Sequence, residues 1–214
     1  MTPSNDTADP SPEPTAAADV SHKQKMVRRK EAFEAKKARA TREKGLLIVH
    51  TGAGKGKTSA ALGLAFRALG QGLKVGIVQF IKGAIPTGEA ALARQLNLPI
   101  EMHVMGDGFT WDTQDRAADV AKARAAWEKA VSLLRDDSFD LVILDELNIV
   151  LRYDYLPLAE VLDELRRKRE MLHVVVTGRN AKAELIELAD LVTEMTLIKH
   201  PYREGIKAQR GIEF

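Results

Sequence analysis

The sequence predicts an α/β fold with a mostly parallel sheet and helices on both faces. Three observations predict it. Short apolar runs alternate regularly with helix-forming segments from Gly45 to the C-terminus. The runs are apolar at consecutive positions, as in strands that are buried on both faces of a sheet. A glycine-rich turn separates the first run from the first helix, where open α/β sheets bind their ligands.

The strands and helices follow in order along the chain. The first strand runs from Gly45 to His50, and the most apolar of the later strands runs from Phe139 to Leu144. The first helix is rich in Ala and Leu and is closed by Gly70 and Gly72. Strands are predicted over residues 45–50, 74–81, 100–105, 139–144, 172–177 and 191–198. Helices are predicted over residues 57–69, 87–96, 115–135, 158–169 and 183–188.

Composition predicts three regions in the chain. Residues 1–21 are acidic, rich in Pro, Ser and Thr, and poor in apolar side chains, so we expect a disordered leader. Residues 22–44 hold ten Lys or Arg against three Glu and are expected to form a basic arm with marginal helical stability. Residues 45–214 carry the regular pattern and are expected to form one domain.

The balance of charges and the residue types exclude several classes of protein. The formal net charge is +2, and the basic excess belongs to the arm, so a nucleic-acid-binding body is not expected. The chain has no cysteine, which excludes disulfides, thiolate catalysis and cysteine-ligated metals. No apolar run approaches the ~20 residues of a membrane span, and the N-terminus lacks the apolar stretch of a secretory signal. We expect a cytoplasmic protein without membrane contacts.

The turn after the first strand has the form of a phosphate-binding loop. It reads Thr51-Gly-Ala-Gly-Lys-Gly-Lys-Thr58, and glycines there let backbone N–H groups turn toward phosphate oxygens. The usual spacing puts a glycine where this chain has Thr51. The alternative is a glycine-rich turn that binds nothing, but the strand–loop–helix context and the second lysine, Lys55, favour phosphate binding. The expected fold is a single P-loop NTPase (RecA-like) domain. The predicted nucleotide-binding residues are Gly52, Ala53, Gly54, Lys55, Gly56, Lys57, Thr58, Ser59 and Arg179.

An acidic strand end supplies the expected partner of this loop. The apolar strand at 139–144 is followed by Asp145 and Glu146. Carboxylates in this position hold Mg²⁺ directly or through water, together with the Thr58 hydroxyl. Thr58, Asp145 and Glu146 are therefore the predicted metal residues, and the sequence leaves open which acid binds directly. The alternative for the two acids is a solvated strand end.

Several segments in the same order resemble one family. They read HTGAGKGKTSAALGLAFRALGQG, VGIVQFIKG, MGDGFTWDTQDR, LDELNIVLRYDYL, VVVTGRNA and IKHPYREGIKAQRGIEF. Together they resemble the P-loop type of ATP:co(I)rrinoid adenosyltransferase, which acts on cob(I)yrinic acid a,c-diamide or cob(I)alamin. The resemblance implies a transferase that moves the 5′-deoxyadenosyl group of ATP to the Co(I) centre of a corrinoid and releases triphosphate, in cobalamin biosynthesis and salvage. It also implies Mg²⁺, a homodimer and a flavoprotein reductant.

The resemblance assigns a role to two loop aromatics. Phe109 and Trp111 are implied to lie against the corrin and to help displace its lower axial ligand, so that four-coordinate Co(II) is more easily reduced. Cobalt is then the nucleophile, and no nucleophilic side chain is needed. The alternative is that both rings fill core space. The family binds ATP in an unusual direction, and the departure at Thr51 is interpreted as a consequence of that direction.

Some interpretations stay open at the level of sequence. Arg179 lies at a strand end, where it touches nucleotide or caps the turn. The basic arm is either a solvated helix or a cover for the corrinoid site. The rival functions are a conventional nucleotide hydrolase or kinase, and a RecA-like module that binds nucleic acid through the arm. The preferred corrinoid acceptor is not readable from the sequence.

Overall fold

The computed structural model describes residues 16–81, 88–105 and 115–212, with the backbone alone for 16–20. The chain divides into two compact units, Met1–Glu43 and Lys44–Phe214. The described part of the first unit, residues 16–43, contains one helix, α1 (Ala16–Arg39), which begins six residues before the predicted start of the arm. Three consecutive alanines open it, and alanine has the highest helix propensity. No helix in the described ranges is long and apolar enough to cross a membrane.

The second unit is built on one six-stranded sheet. All its strand pairs are parallel, and the strand order is β3-β2-β4-β5-β1-β6. The strands are β1 (Leu47–Thr51), β2 (Val75–Gln79), β3 (Ile100–Val104), β4 (Leu141–Asp145), β5 (His173–Thr177) and β6 (Leu191–Glu194). The helices are α2 (Lys57–Gly70), α3 (Gly88–Gln95), α4 (Arg116–Arg135), α5 (Leu147–Arg152), α6 (Leu158–Arg166) and α7 (Ala183–Leu188), followed by a 3₁₀ turn, Pro201–Glu204.

Two apolar cores cover the two faces of the sheet. Side chains along a strand point alternately to opposite faces, so neighbouring residues of β1 enter different cores. Leu47 and Val49 pack with α4, α5, α6 and α7, whereas Ile48 packs with α2. The predicted fold class, an α/β fold with a parallel sheet and helices on both faces, is confirmed.

The structure differs from the sequence-based expectations at several boundaries. The six-residue helix α5 was not expected, because it follows the acidic pair directly and its sequence, Leu-Asn-Ile-Val-Leu-Arg, is too short to show a period. The last strand ends at Glu194 instead of Ile198, because the next residue turns toward the glycine-rich loop. Met195 donates its N–H to the Thr51 carbonyl and accepts from the Gly54 N–H.

The strand order explains where polar groups collect. β1, β5, β4 and β2 are neighbours in the sheet, so their carboxyl ends lie side by side. Buried polar or charged side chains of the described residues are found at this edge, or in the loop and helices that begin there. They are His50, Thr51, Lys57, Gln79, Asp145, Asn148 and Thr177. Burying such groups is costly unless they are hydrogen-bonded, so the edge is the candidate site.

Candidate nucleotide-binding site

The glycine-rich loop wraps around the buried lysine at the start of α2. Only 6% of Lys57 is exposed, and its Nζ donates hydrogen bonds to the carbonyl oxygens of Gly52 at 2.9 Å and Gly54 at 2.5 Å. Burial lowers the pKa of the Lys57 ammonium below its ordinary value of 10.5, and the charge of Glu146 opposes this only in part. A phosphate at the loop would offer this ammonium a charged partner that neutral carbonyls do not.

Thr51, which stands where the usual motif has glycine, is the last residue of β1. Its hydroxyl accepts a hydrogen bond from the backbone N–H of Ala181 at 3.1 Å. Its carbonyl accepts from the N–H of Met195 at 2.9 Å. The start of the loop is thus tied to the segments that follow β5 and β6. A glycine at this position would lack the hydroxyl that accepts the hydrogen bond from Ala181.

Asp145 lies beneath the loop, where three side chains donate hydrogen bonds to it. The residue is 1% exposed. Its Oδ1 accepts from the Thr58 hydroxyl at 2.9 Å and from the Thr177 hydroxyl at 2.7 Å. Its Oδ2 accepts from the Gln79 amide at 2.9 Å. The carboxylate is therefore held at three points, one of which is the predicted metal ligand Thr58.

Glu146 takes a different direction from its neighbour. Its backbone adopts φ 62°, a left-handed conformation that is uncommon for residues other than glycine. Its N–H donates to the Thr177 hydroxyl at 2.9 Å, and the side chain lines the open cleft above the loop. Gly178 makes room for it, because a Cβ there would lie 3.1 Å from Glu146 Oε2. One acid is thus buried under the loop and the other faces the cleft.

The cleft has a volume of about 520 Å³, within the usual range for small-ligand sites. One wall is polar and contains residues 54–59 with Glu146 and Arg179. The lining also includes the exposed apolar side chains of Phe66, Leu92 and Ile212. The cleft therefore combines the glycine-rich loop with exposed apolar side chains.

The structure brings together most of the residues predicted for nucleotide and metal. Gly54, Lys55, Gly56, Lys57, Thr58, Ser59, Glu146 and Arg179 line the cleft. Gly52 contributes its carbonyl to Lys57, and Ala53 is exposed on the same loop. Asp145 is buried beneath the loop, where it accepts a hydrogen bond from Thr58. Phe109 and Trp111 lie outside the described residues.

Sequence reasoning missed several residues of the site. Gln79, Thr177 and Asn148 were not singled out, although a polar residue that ends an apolar strand was a usable signal for the first two. Asn148 is fully buried and donates its amide to the Gly178 carbonyl at 3.0 Å. Phe66 carried no signal, because an aromatic residue in an Ala/Leu-rich helix is ordinarily core.

The donors at this edge fit a hard cation such as Mg²⁺. Mg²⁺ prefers oxygen ligands and usually combines one or two protein oxygens with phosphate oxygens and water. Thr58, Asp145 and Glu146 supply hydroxyl and carboxylate oxygens of that kind. Among the residues that the structure describes, no three His, Cys, Asp or Glu side chains cluster as a self-sufficient metal site.

Comparison with known proteins identifies the family. The model of the family described as ATP:corrinoid adenosyltransferase BtuR/CobO/CobP matches residues 43–214. The chain belongs to this family. The corrinoid adenosyltransferase of Pseudomonas aeruginosa is 54% identical over 196 residues, which cover 92% of this chain and 97% of that protein. The corrinoid adenosyltransferase of Escherichia coli K12 is 47% identical over 197 residues, covering 92% of this chain and 100% of that protein.

These findings confirm the family resemblance that the sequence motifs indicated, and they make the chain a transferase of the corrinoid adenosyltransferase family. Among solved structures, the flagellar accessory protein FlaH from Methanocaldococcus jannaschii matches 70% of both chains with a TM-score of 0.45 and 12% identity. That likeness is too distant to bear on function.

Proposed function

We propose that the chain transfers the 5′-deoxyadenosyl group of ATP to the Co(I) centre of a corrinoid, in cobalamin biosynthesis and salvage. The observation that carries the proposal is the family match over residues 43–214, the part of the chain that contains the phosphate loop and the cleft. The predicted domain of residues 45–214 would carry the activity.

In this reaction no side chain needs to form a covalent bond with a substrate. The electron pair of Co(I) forms a bond to C5′ of ATP, the C5′–O bond breaks, and triphosphate leaves with the two electrons of the C5′–O bond. Because cobalt is the nucleophile, the side chains need only orient the two substrates and stabilise the charge of the leaving group. Lys57 and Arg179, both in the cleft, supply positive charge for triphosphate.

Mg²⁺ is part of the proposal. The Thr58 hydroxyl donates its hydrogen to Asp145, so its lone pairs are the part that can face a cation. Glu146 lines the cleft, which supports a role for it in binding the cation or its water ligands. On this view Asp145 acts through Thr58, and Glu146 is the acid closer to the metal. When bound, Mg²⁺ would neutralise charge on the triphosphate.

The remaining proposals concern the corrinoid and the partners. Phe109 and Trp111 are proposed to contact the corrin and favour loss of its lower axial ligand, on the strength of the motif Met-Gly-Asp-Gly-Phe-Thr-Trp at 105–111. A flavoprotein is proposed as the reductant by family resemblance. The cytoplasm is proposed as the site of action on the basis of the sequence composition. A homodimer is supported by exposed apolar side chains on the edge strand β6 and beyond, which are Leu191, Val192 and Ile198.

An anaerobic assay tests the proposed reaction. The purified protein is mixed with Mg-ATP and chemically reduced cob(I)alamin, and the visible spectrum is followed. We expect a light-sensitive adenosylcobalamin spectrum to appear, and to depend on both protein and ATP. Formation of ADP and phosphate from ATP without corrinoid, and no cobalt alkylation, would instead identify a conventional nucleotide hydrolase.

A further inference from the structure

Three buried polar residues form a row across the sheet directly beneath the start of α2. Gln79, Asp145 and Thr177 end the neighbouring strands β2, β4 and β5. Gln79 is in register with Asp145, and Leu144 is in register with Val176, which places Asp145 beside Thr177. The three residues are called the polar row.

The polar row faces α2 because of strand alternation. Two residues earlier in the same strands, Ile77, Ile143 and Val175 pack in the core on the α2 side. Residues two apart in a strand share a face, so the row continues that core as a polar layer at the carboxyl edge. The row places polar side chains where the sheet otherwise continues an apolar core, and this needs an explanation.

The hydrogen bonds of the row converge on one carboxylate and, through it, on Thr58. Gln79 donates to Oδ2 of Asp145, whereas Thr177 and Thr58 both donate to Oδ1. Gln79 is 2% exposed and Thr177 is fully buried, so water competes little for these bonds. The carboxylate cannot rotate without breaking at least one bond, and its Oδ1 determines the direction of the Thr58 hydroxyl.

We propose that Gln79 and Thr177 are positioning residues for the metal–nucleotide site: they hold Asp145 so that it orients the Thr58 hydroxyl toward Mg²⁺. The inference rests on the proposed Mg²⁺ site. Neither residue lines the cleft, and both act through Asp145. Thr177 has a second effect, because its oxygen also accepts the N–H of Glu146 and so links the two acids.

The role predicts a selective loss of metal affinity. Partners that orient a metal ligand typically change metal affinity ~10–100-fold when they are removed. Gln79→Met keeps the length of the side chain and removes the donor, and Thr177→Val keeps the shape and removes the hydroxyl. We expect both to weaken Mg²⁺ binding to the protein–ATP complex by ~10–100-fold. Affinity for ATP in the presence of EDTA should stay at the wild-type value.

The experiment measures equilibrium ATP binding across a Mg²⁺ titration and in EDTA, together with urea unfolding of each variant. Thr177→Ser keeps the hydroxyl and should restore the wild-type Mg²⁺ dependence. Thr193→Val makes the same change as Thr177→Val on the exposed edge strand β6 and should behave as wild type. If Gln79→Met does not fold, the Val and Ser variants of Thr177 decide the question.

The possible results separate the inference from the proposal beneath it. Lower stability with an unchanged Mg²⁺ dependence would give the row a purely structural role and overturn the inference, leaving the metal site in place. ATP binding by the wild-type protein that does not respond to Mg²⁺ would remove the metal proposal, and the inference with it.

Discussion

The close approach of Gly54 to the segment after β6 gives a prediction whose size can be worked out from the structure. A Cβ at Gly54 would lie 2.6 Å from the Thr196 carbonyl oxygen and 2.7 Å from the Met195 carbonyl oxygen. Both are backbone atoms, so the loop itself must move. Overpacking of this kind costs ~1–3 kcal/mol, and loss of the hydrogen bond from Gly54 N–H to the Met195 carbonyl adds ~1 kcal/mol.

Gly54→Ala should therefore lower the free energy of unfolding by ~2–4 kcal/mol and weaken ATP binding, because the displaced loop also carries the carbonyls that hold Lys57. Urea unfolding and equilibrium ATP binding measure the two effects. Gly63→Ala is the matched control, because a Cβ at Gly63 would meet nothing within 4 Å. Since alanine favours helix over glycine, this substitution should stabilise α2 by up to ~1 kcal/mol. Wild-type stability and ATP affinity in Gly54→Ala would refute the reasoning.

Three further predictions follow from single residues. Because burial lowers the pKa of Lys57 from 10.5 in the folded protein, the unfolded chain holds more protons just below pH 10.5, and stability should rise with pH there. Lys57→Met should remove the contribution of Lys57 to this increase in stability. Urea unfolding at several pH values measures it. Phe109→Ala and Trp111→Ala should abolish adenosylation that starts from Co(II) while ATP affinity stays unchanged. Trp127→Phe removes the donor to Glu160, which stays paired with Arg124, and should cost ~0.5–1.5 kcal/mol in the free energy of unfolding.

Local sequence patterns predicted the elements of the sheet because each strand is a short apolar run with a turn signal beside it. The phosphate loop was also readable, since its residues are consecutive. Thr58 and Lys57 therefore lie where the motif places them, at the first turn of α2. The short helix α5 was missed because six residues give too little periodicity for an assignment.

The contacts beneath the loop were not predictable in the same way. Gln79 meets Asp145 only because β2 lies beside β4, although 66 residues separate the two in the chain. Thr177 meets Asp145 for the same reason, through the pairing of β4 with β5. The pattern of single strands does not specify strand order. A polar residue at a strand end shows that a partner is needed, but the partner is supplied by the topology.

The most direct test of the central claim is the stoichiometry of one turnover with Co(I) corrinoid and Mg-ATP under anaerobic conditions. Adenosylcobalamin is quantified from its visible spectrum, and the phosphate products are identified by ³¹P NMR. We predict one triphosphate for each cobalt–carbon bond formed, because the C5′–O bond is the one that breaks. Phosphate or ADP as the primary product, without cobalt alkylation, would contradict the account.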